Sequence, residues 1–317
     1  MSQSYAIGID LGGTNIKAAL VADDGAIAVK SKRVCDPARG PEPVVNEMAQ
    51  MCAELTAEAG ISRERIVGVG LGTPGPLDFD RGMILKAANL PGWIEVPIRD
   101  WLQSSVGFPV VLENDANAAA FGEFWAGSGR GGGDMVMLTL GTGVGSGVIV
   151  NDRLLRGHFG NAAELGHMIV VPAGLLCGCG QRGCLEQYAS ASAVARRVHS
   201  AIQAGAPATL AAGSMPNARD IEQAARAGDE LCRRIWQEAC LYLAVACVNI
   251  QHAFNPATII LGGGLAEAGD FLLDPVRDEF KKQTWSLCND QPSIIAAALG
   301  YDAGVIGAAG LAWRSQQ

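Results

Sequence analysis

The chain has 317 residues, of which 49% are hydrophobic and 18% charged, and its mean hydropathy is +0.19. That much apolar material excludes disorder as the main state, and at roughly 150 residues per domain the length points to two domains. A net charge of −8 and a pI near 5.1 lack the electrostatic footprint of a nonspecific nucleic-acid binder. Residues 1–10 show no basic-then-apolar leader, and the longest apolar helical stretch, 239–250, is too short to span a bilayer. The expectation is a soluble, cytoplasmic protein without nucleic-acid or membrane partners.

Taken in chain order, strands are predicted at 6–11, 18–21 and 26–32, with Asp23-Asp24-Gly25 as the hairpin turn between the last two. A helix follows over 42–60, carrying Val45, Met48, Ala49, Cys52 and Leu55 at helical spacing, with Gly60 just past its end. A buried strand at 66–71 enters the turn-rich loop 72–76. Another strand, 109–112, runs into Glu113-Asn114-Asp115, and a small-residue helix begins about 116. Near 135 the plan restarts with a strand over 135–140, the turn Gly141-Thr142-Gly143, a strand over 147–150 and a turn at Asn151-Asp152. The remainder is mainly helical, at 188–204, 219–254, 266–283 and 304–314, interrupted by strands at 258–261 and 293–296. Strands alternating with helices give an α/β class with mixed sheets, in two halves that each present a glycine hairpin.

Three glycine loops stand out: Gly12-Gly13-Thr14, Gly141-Thr142-Gly143 and Gly262-Gly263-Gly264. Each alone reads equally as a plain tight turn. Together they suit phosphate, because exposed backbone N–H groups form anion sites and the lack of Cβ admits close approach. None is a Walker loop, and the first two lead into strands where a Rossmann unit needs a helix. Asp10, beside the first loop, suits Mg²⁺ bridging to nucleotide phosphates, with a turn-capping carboxylate as the competing reading. Asp115 can take the proton of a hydroxyl that attacks phosphorus, with Asn114 bonding sugar hydroxyls; on position alone Asp115 reads equally as the helix N-cap.

Of nine cysteines, Cys177, Cys179 and Cys184 fall within eight positions, shortly after His167. One imidazole and three thiols match a closed, structural Cys₃His zinc site, whose task would be to fix the loop carrying Glu164, His167 and Glu186. A redox dithiol or unrelated thiols are the competing readings. Cys35, Cys52, Cys232, Cys240, Cys247 and Cys288 are scattered and read as reduced apolar side chains, and His158, His199 and His252 as surface or packing residues.

Asp10-Leu11-Gly12-Gly13-Thr14, Glu113-Asn114-Asp115-Ala116-Asn117, the glycine loop from Gly141, Glu164-Leu165-Gly166-His167 and the run from Cys177 to Glu186 occur in this order. Together they resemble the ROK family of repressors and sugar kinases, specifically its glucokinase branch, from about residue 5 to residue 312. The resemblance implies an actin-like ATPase (ribonuclease H-like) α/β fold, the two-domain hexokinase fold with a cleft between lobes. It places the small lobe at 1–120 plus 303–317 and the large lobe, with the zinc site, at 121–302. It implies ATP-Mg²⁺-dependent phosphorylation of glucose at the 6-hydroxyl by a homodimer, with Asp115 as base and Gly75, Asn89, Asn114, Glu164, His167 and Glu186 around the hexose. Gly12, Gly13, Thr14, Gly141, Thr142 and Gly143 would hold phosphates, Gly262 to Gly264 would lie near adenosine, and His167 would join Cys177, Cys179 and Cys184 on zinc. N-acetylmannosamine, N-acetylglucosamine, fructose or mannose are alternative acceptors and polyphosphate an alternative donor. A sugar sensor without turnover is the alternative from another class; the DNA-binding module of repressor members is not expected here.

Overall fold

The computed structural model describes residues 3–316 except Ala88, Ala212, Ser286, Cys288 and Asn289; Cys288 thus lies outside the described residues. The first half contains β1 (Tyr5–Leu11), β2 (Asn15–Ala22), β3 (Ile27–Val34), α1 (Pro41–Glu58) and β4 (Ile66–Thr73). The short strands β5 (Leu77–Asp78), β6 (Met83–Lys86) and β7 (Ile94–Val96) form a small separate sheet, followed by α2 (Ile98–Val106) and β8 (Val110–Asn114). The main sheet has the order β3-β2-β1-β4-β8, antiparallel across the first three strands and parallel from β1 to β8. Its central strands are covered on both faces, so they read as nearly continuous apolar runs. Ile7, Ile9 and Leu11 pack toward Val44, Met48 and Leu55 of α1, while Ala6, Ala19 and Val21 face the C-terminal helix. Edge strand β3 alternates half-buried and exposed residues along its whole length.

The second half opens with α3 (Asp115–Ala126) and continues through β9 (Met135–Leu140), β10 (Val144–Val150) and β11 (Arg153–Leu154). Helices α4 (Glu186–Ala189), α5 (Ala191–Gln203), α6 (Ala218–Arg226) and α7 (Glu230–Phe254) follow, then β12 (Thr258–Gly262), α8 (Asp270–Gln283), β13 (Ser293–Ala296) and α9 (Ala303–Arg314). Its sheet, β11-β10-β9-β12-β13, repeats the pairing pattern of the first strand for strand, so the restart expected near residue 135 is present. Val136, Leu138 and Leu140 face the helical layer of α5 to α8; Met135, Met137 and Ile260 face α3 and α9. Those two helices cross between the sheets. At the crossing a Cβ on Gly307 would stand 1.7 Å from the Ala118 carbonyl oxygen, so the backbones meet where a side chain would otherwise be.

Several predicted boundaries shift for local reasons. The helix expected over 219–254 is two: Gly228 turns left-handed (φ +96) and Asp229 caps α7 by accepting from Cys232 N. The helix expected over 188–204 breaks at Ser190, whose hydroxyl caps α5 by accepting from Ala193 N at 3.0 Å. A short 3₁₀ turn, Gly264–Ala268, precedes α8. Strand β10 starts at Val144, three residues early, and its Gly145 and Gly147 leave room for Ala116 and Ala120 of α3. Among the described residues no cysteine is disulfide-bonded, and Cys35, Cys52, Cys232, Cys240 and Cys247 are buried; no helix is long and apolar enough to cross a membrane.

Candidate active site

A cleft of about 620 Å³ runs between the two sheets and is lined from both. At its floor the chain turns from β8 into α3. Glu113, fully buried, anchors that corner: its Oε1 accepts from Asn114 N and Asn117 Nδ2, each at 3.0 Å, and its Oε2 from Arg156 Nε and Nη2 at 2.9 and 2.6 Å. Asn114 caps α3, its Oδ1 accepting from Ala116 N and Asn117 N at 3.0 and 3.1 Å. The cap is therefore Asn114, and the helix-cap reading of Asp115 falls away. Asp115 is the first residue of α3 and lines the cleft, its Oδ1 accepting from Ala116 N at 2.8 Å. Burial, then the Asp10 and Glu164 carboxylates, push its pKa from 3.8 up to about 6. A carboxylate so placed is a stronger base than an exposed one and still ionised at neutral pH.

Gly75, Asn89, Asn114, Glu164, His167 and Glu186 line the same cleft as Asp115, although they come from five different parts of the chain. The loops are less uniform. Gly141, Thr142 and Gly143 line the cleft, and Glu186 Oε2 holds their hairpin by accepting from Val144 N at 3.0 Å. The turn Gly12-Gly13-Thr14 borders the cleft without lining it: Gly12 N donates to Asn15 O at 2.9 Å, and Gly13 packs against Asn89. Gly262 is the last residue of β12, buried against Met137 and Ala297, so Gly263 is the residue of that trio that lines the cleft, with Gly264 exposed beside it. His158, His199 and His252 stand outside the cleft lining.

Asp10 lines the cleft at the end of β1, paired with Lys17 Nζ at 3.0 Å; the same ammonium donates to the Tyr301 carbonyl at 3.1 Å. Lys17 was not among the residues expected here. The β1–β2 pairing brings it in, because that register sets Lys17 directly opposite Asp10. Tyr301, also not expected there, lies in the turn before α9.

Behind Glu186 sits the thiol cluster. His167 Nδ1 is 3.7 Å from Cys177 Sγ, Cys179 Sγ is 3.6 Å from Cys184 Sγ, and ligand atoms of all four residues lie within 4.8 Å of one another. Tetrahedral zinc sets its ligands roughly 3.4–3.8 Å apart, the spacing of these two pairs, and three thiols with an imidazole are donors that suit the ion. The sharp turn rests on Gly180 and Gly183, both at positive φ (+91 and +84). Cys177 Sγ also lies 3.8 Å from Glu186 Oε1, which connects the cluster to the glycine hairpin through a single carboxylate.

Two sheets of one topology, with helices crossing between them and a polar cleft at their strand ends, define an actin-like ATPase fold with the site of a phosphoryl-transfer protein. A sequence profile of the ROK family matches residues 6–315, and the chain belongs to that family. A glucokinase of Streptomyces coelicolor is 39% identical over 317 residues, covering 96% of each chain. A ROK family glucokinase from Streptomyces griseus, crystallised with glucose and AMPPNP, is 36% identical and superposes with a TM-score of 0.82 over 98% of this chain and 100% of that one. A xylose repressor of Caldicellulosiruptor bescii is 29% identical over 284 residues, 88% of this chain and 70% of the repressor.

Proposed function

We propose that the chain phosphorylates glucose at its 6-hydroxyl with ATP, and that Asp115 is the general base. The observation that carries this reading is the Asp115 carboxylate itself, desolvated in the cleft and free of any cationic partner among the described residues. As the sugar oxygen attacks the γ-phosphorus, its proton passes to Asp115, the bond to the β–γ bridging oxygen breaks, and ADP leaves. The Asn114 Nδ2 group, left over from capping, donates to a sugar hydroxyl, and Glu164, His167, Glu186, Asn89 and the Gly75 backbone surround the rest. Closure of the two lobes, 1–120 with 303–317 against 121–302, excludes water that would otherwise hydrolyse ATP.

Phosphates lie against the Gly141–Gly143 hairpin and the Gly12–Thr14 turn, with adenosine toward Gly262, Gly263 and Gly264. Asp10 would hold Mg²⁺, which would supply charge neutralisation at the phosphates, and Lys17, 3.0 Å from Asp10, would add a second cation beside them. His167, Cys177, Cys179 and Cys184 would hold zinc, and four protein ligands would make its role structural. The homodimer and the cytoplasmic location belong to the same reading. Likeness to a xylose repressor favours a second one, sugar sensing without turnover.

A coupled assay with glucose-6-phosphate dehydrogenase, run with glucose, ATP and Mg²⁺, separates the two. No product with glucose rejects the first reading; a parallel panel of mannose, fructose, N-acetylglucosamine and N-acetylmannosamine, followed by ADP release, and of polyphosphate as donor, assigns another acceptor or donor. Sugar binding by calorimetry with no turnover at all supports sensing.

A further inference from the structure

At the end of the cleft where the third glycine loop lies, the wall is almost bare of side chains. Gly263 is left-handed (φ +82), with the place of its Cβ taken by the Leu140 backbone, and around Gly264 the corresponding space is open. Tyr301 lines the same cleft and is 69% exposed. Glu267, in the 3₁₀ turn that begins at Gly264, is near enough to the phenol for its carboxylate to keep the proton on. Its carbonyl is held separately, by Lys17 Nζ at 3.1 Å, and Lys17 is paired with Asp10. Tyr301 thus stands in the same wall of the cleft as Lys17 and Asp10. Phe159 is more exposed still, at 82%, but stands outside this cleft.

We propose that Tyr301 is the stacking platform for the nucleotide base, which slots between its ring and the bare peptide of Gly263 and Gly264. This assignment rests on the ATP reading above and adds to it a residue that positions the donor. An aromatic ring left wet in the free protein gains contact and loses water when a flat heteroaromatic base covers it, and stacking of this kind is worth about a tenfold or larger change in affinity. The glycine side admits such a base because no Cβ intrudes. Triphosphate contacts lie elsewhere, at Lys17, Asp10 and the 141–143 hairpin.

The test compares Tyr301→Ala, Tyr301→Phe and the parent chain. Tyr301→Ala should raise the KM for ATP about tenfold, with the KM for glucose within twofold and kcat within threefold. Tyr301→Phe, which keeps the ring, should restore the KM for ATP to within about twofold of the parent. Inorganic tripolyphosphate, which has no base, should inhibit the parent and Tyr301→Ala equally as a competitor of ATP. An unchanged KM for ATP in Tyr301→Ala, or an equal weakening of tripolyphosphate, overturns the proposal. Should the parent chain phosphorylate no sugar with ATP, the functional reading fails instead. Titration of Tyr301→Trp with ADP then decides the platform separately: quenching of the added emission supports it, and emission unchanged at saturating ADP removes it.

Discussion

Asp115→Asn should make the protein more stable and nearly inactive at once. The substitution keeps the side-chain oxygen that accepts from Ala116 N and removes a charge that burial, Asp10 and Glu164 all disfavour. Each tenfold change in proton affinity is worth about 1.4 kcal/mol. Holding this carboxyl at about 6 instead of 3.8 therefore withholds about 3 kcal/mol from the folded state, nearer 2 kcal/mol once its partial exposure to water is allowed for. Because the folded-state pKa is raised, the penalty is absent below pH 3.8, grows as pH rises through the interval and is complete above about 6. Urea unfolding of the two chains should accordingly differ by about 2–3 kcal/mol at pH 8, equivalent to about 3–5 °C in Tm, and by almost nothing at pH 4. Loss of a general base should cost about 10²–10⁴ in kcat, with the KM for glucose within about tenfold. In the parent chain kcat/KM should fall tenfold per pH unit below about 6. A gain that is absent at pH 8, or as large at pH 4, would show that the carboxylate is not desolvated. A kcat within tenfold of the parent would show that another group takes the proton.

Three further outcomes follow from the same geometry. Arg156→Ala leaves Glu113 buried with N–H donors but no cation, which should cost about 2–4 kcal/mol in urea unfolding; adding Glu113→Gln should recover part of it, and a loss under about 1 kcal/mol would mean that the pair contributes little. Metal analysis should find about one zinc per chain, and Cys179→Ser should lower Tm and raise the KM for glucose through Glu186, which touches both the thiols and the hairpin; zinc-free protein with full activity contradicts this. Gly307→Ala puts a methyl group 1.7 Å from the Ala118 carbonyl oxygen, so α9 and α3 must separate at a cost of about 1–3 kcal/mol or more. Since Asp115 heads α3, turnover should fall as well, and an unchanged Tm would refute the close crossing.

Most strands and both glycine hairpins were legible because a strand covered on both faces leaves an unbroken apolar run, and Asn151-Asp152 marks a turn through local backbone preference alone; both residues are at positive φ. Helix interruptions were harder. The break at Gly228 and the cap at Ser190 lie inside patterns whose apolar period carries straight on, because both helices on either side pack on the same layer. For the candidate site, residue types were readable and partners were not. Lys17 lies just outside the strand expected at 18–21, and only the hairpin register sets it against Asp10; Asn114 and Asp115 exchange the capping role on the basis of a one-residue difference in where α3 begins.

What the sequence determined by itself was a set of local identities: a duplicated strand–turn–strand plan, a donor set of three thiols and an imidazole, and carboxylates at two strand ends. The tertiary structure decided which of them share a space. It drew Asp10, Asp115 and Glu164 around one cleft, set Glu186 between the thiols and the glycine hairpin, buried Gly262 while leaving Gly263 in the wall, and brought Tyr301 beside Lys17. The physical reason is that side-chain chemistry and backbone preference are properties of neighbours in the chain. Desolvation, charge proximity and the approach of one backbone to another depend on distances between residues far apart in sequence, which packing alone establishes.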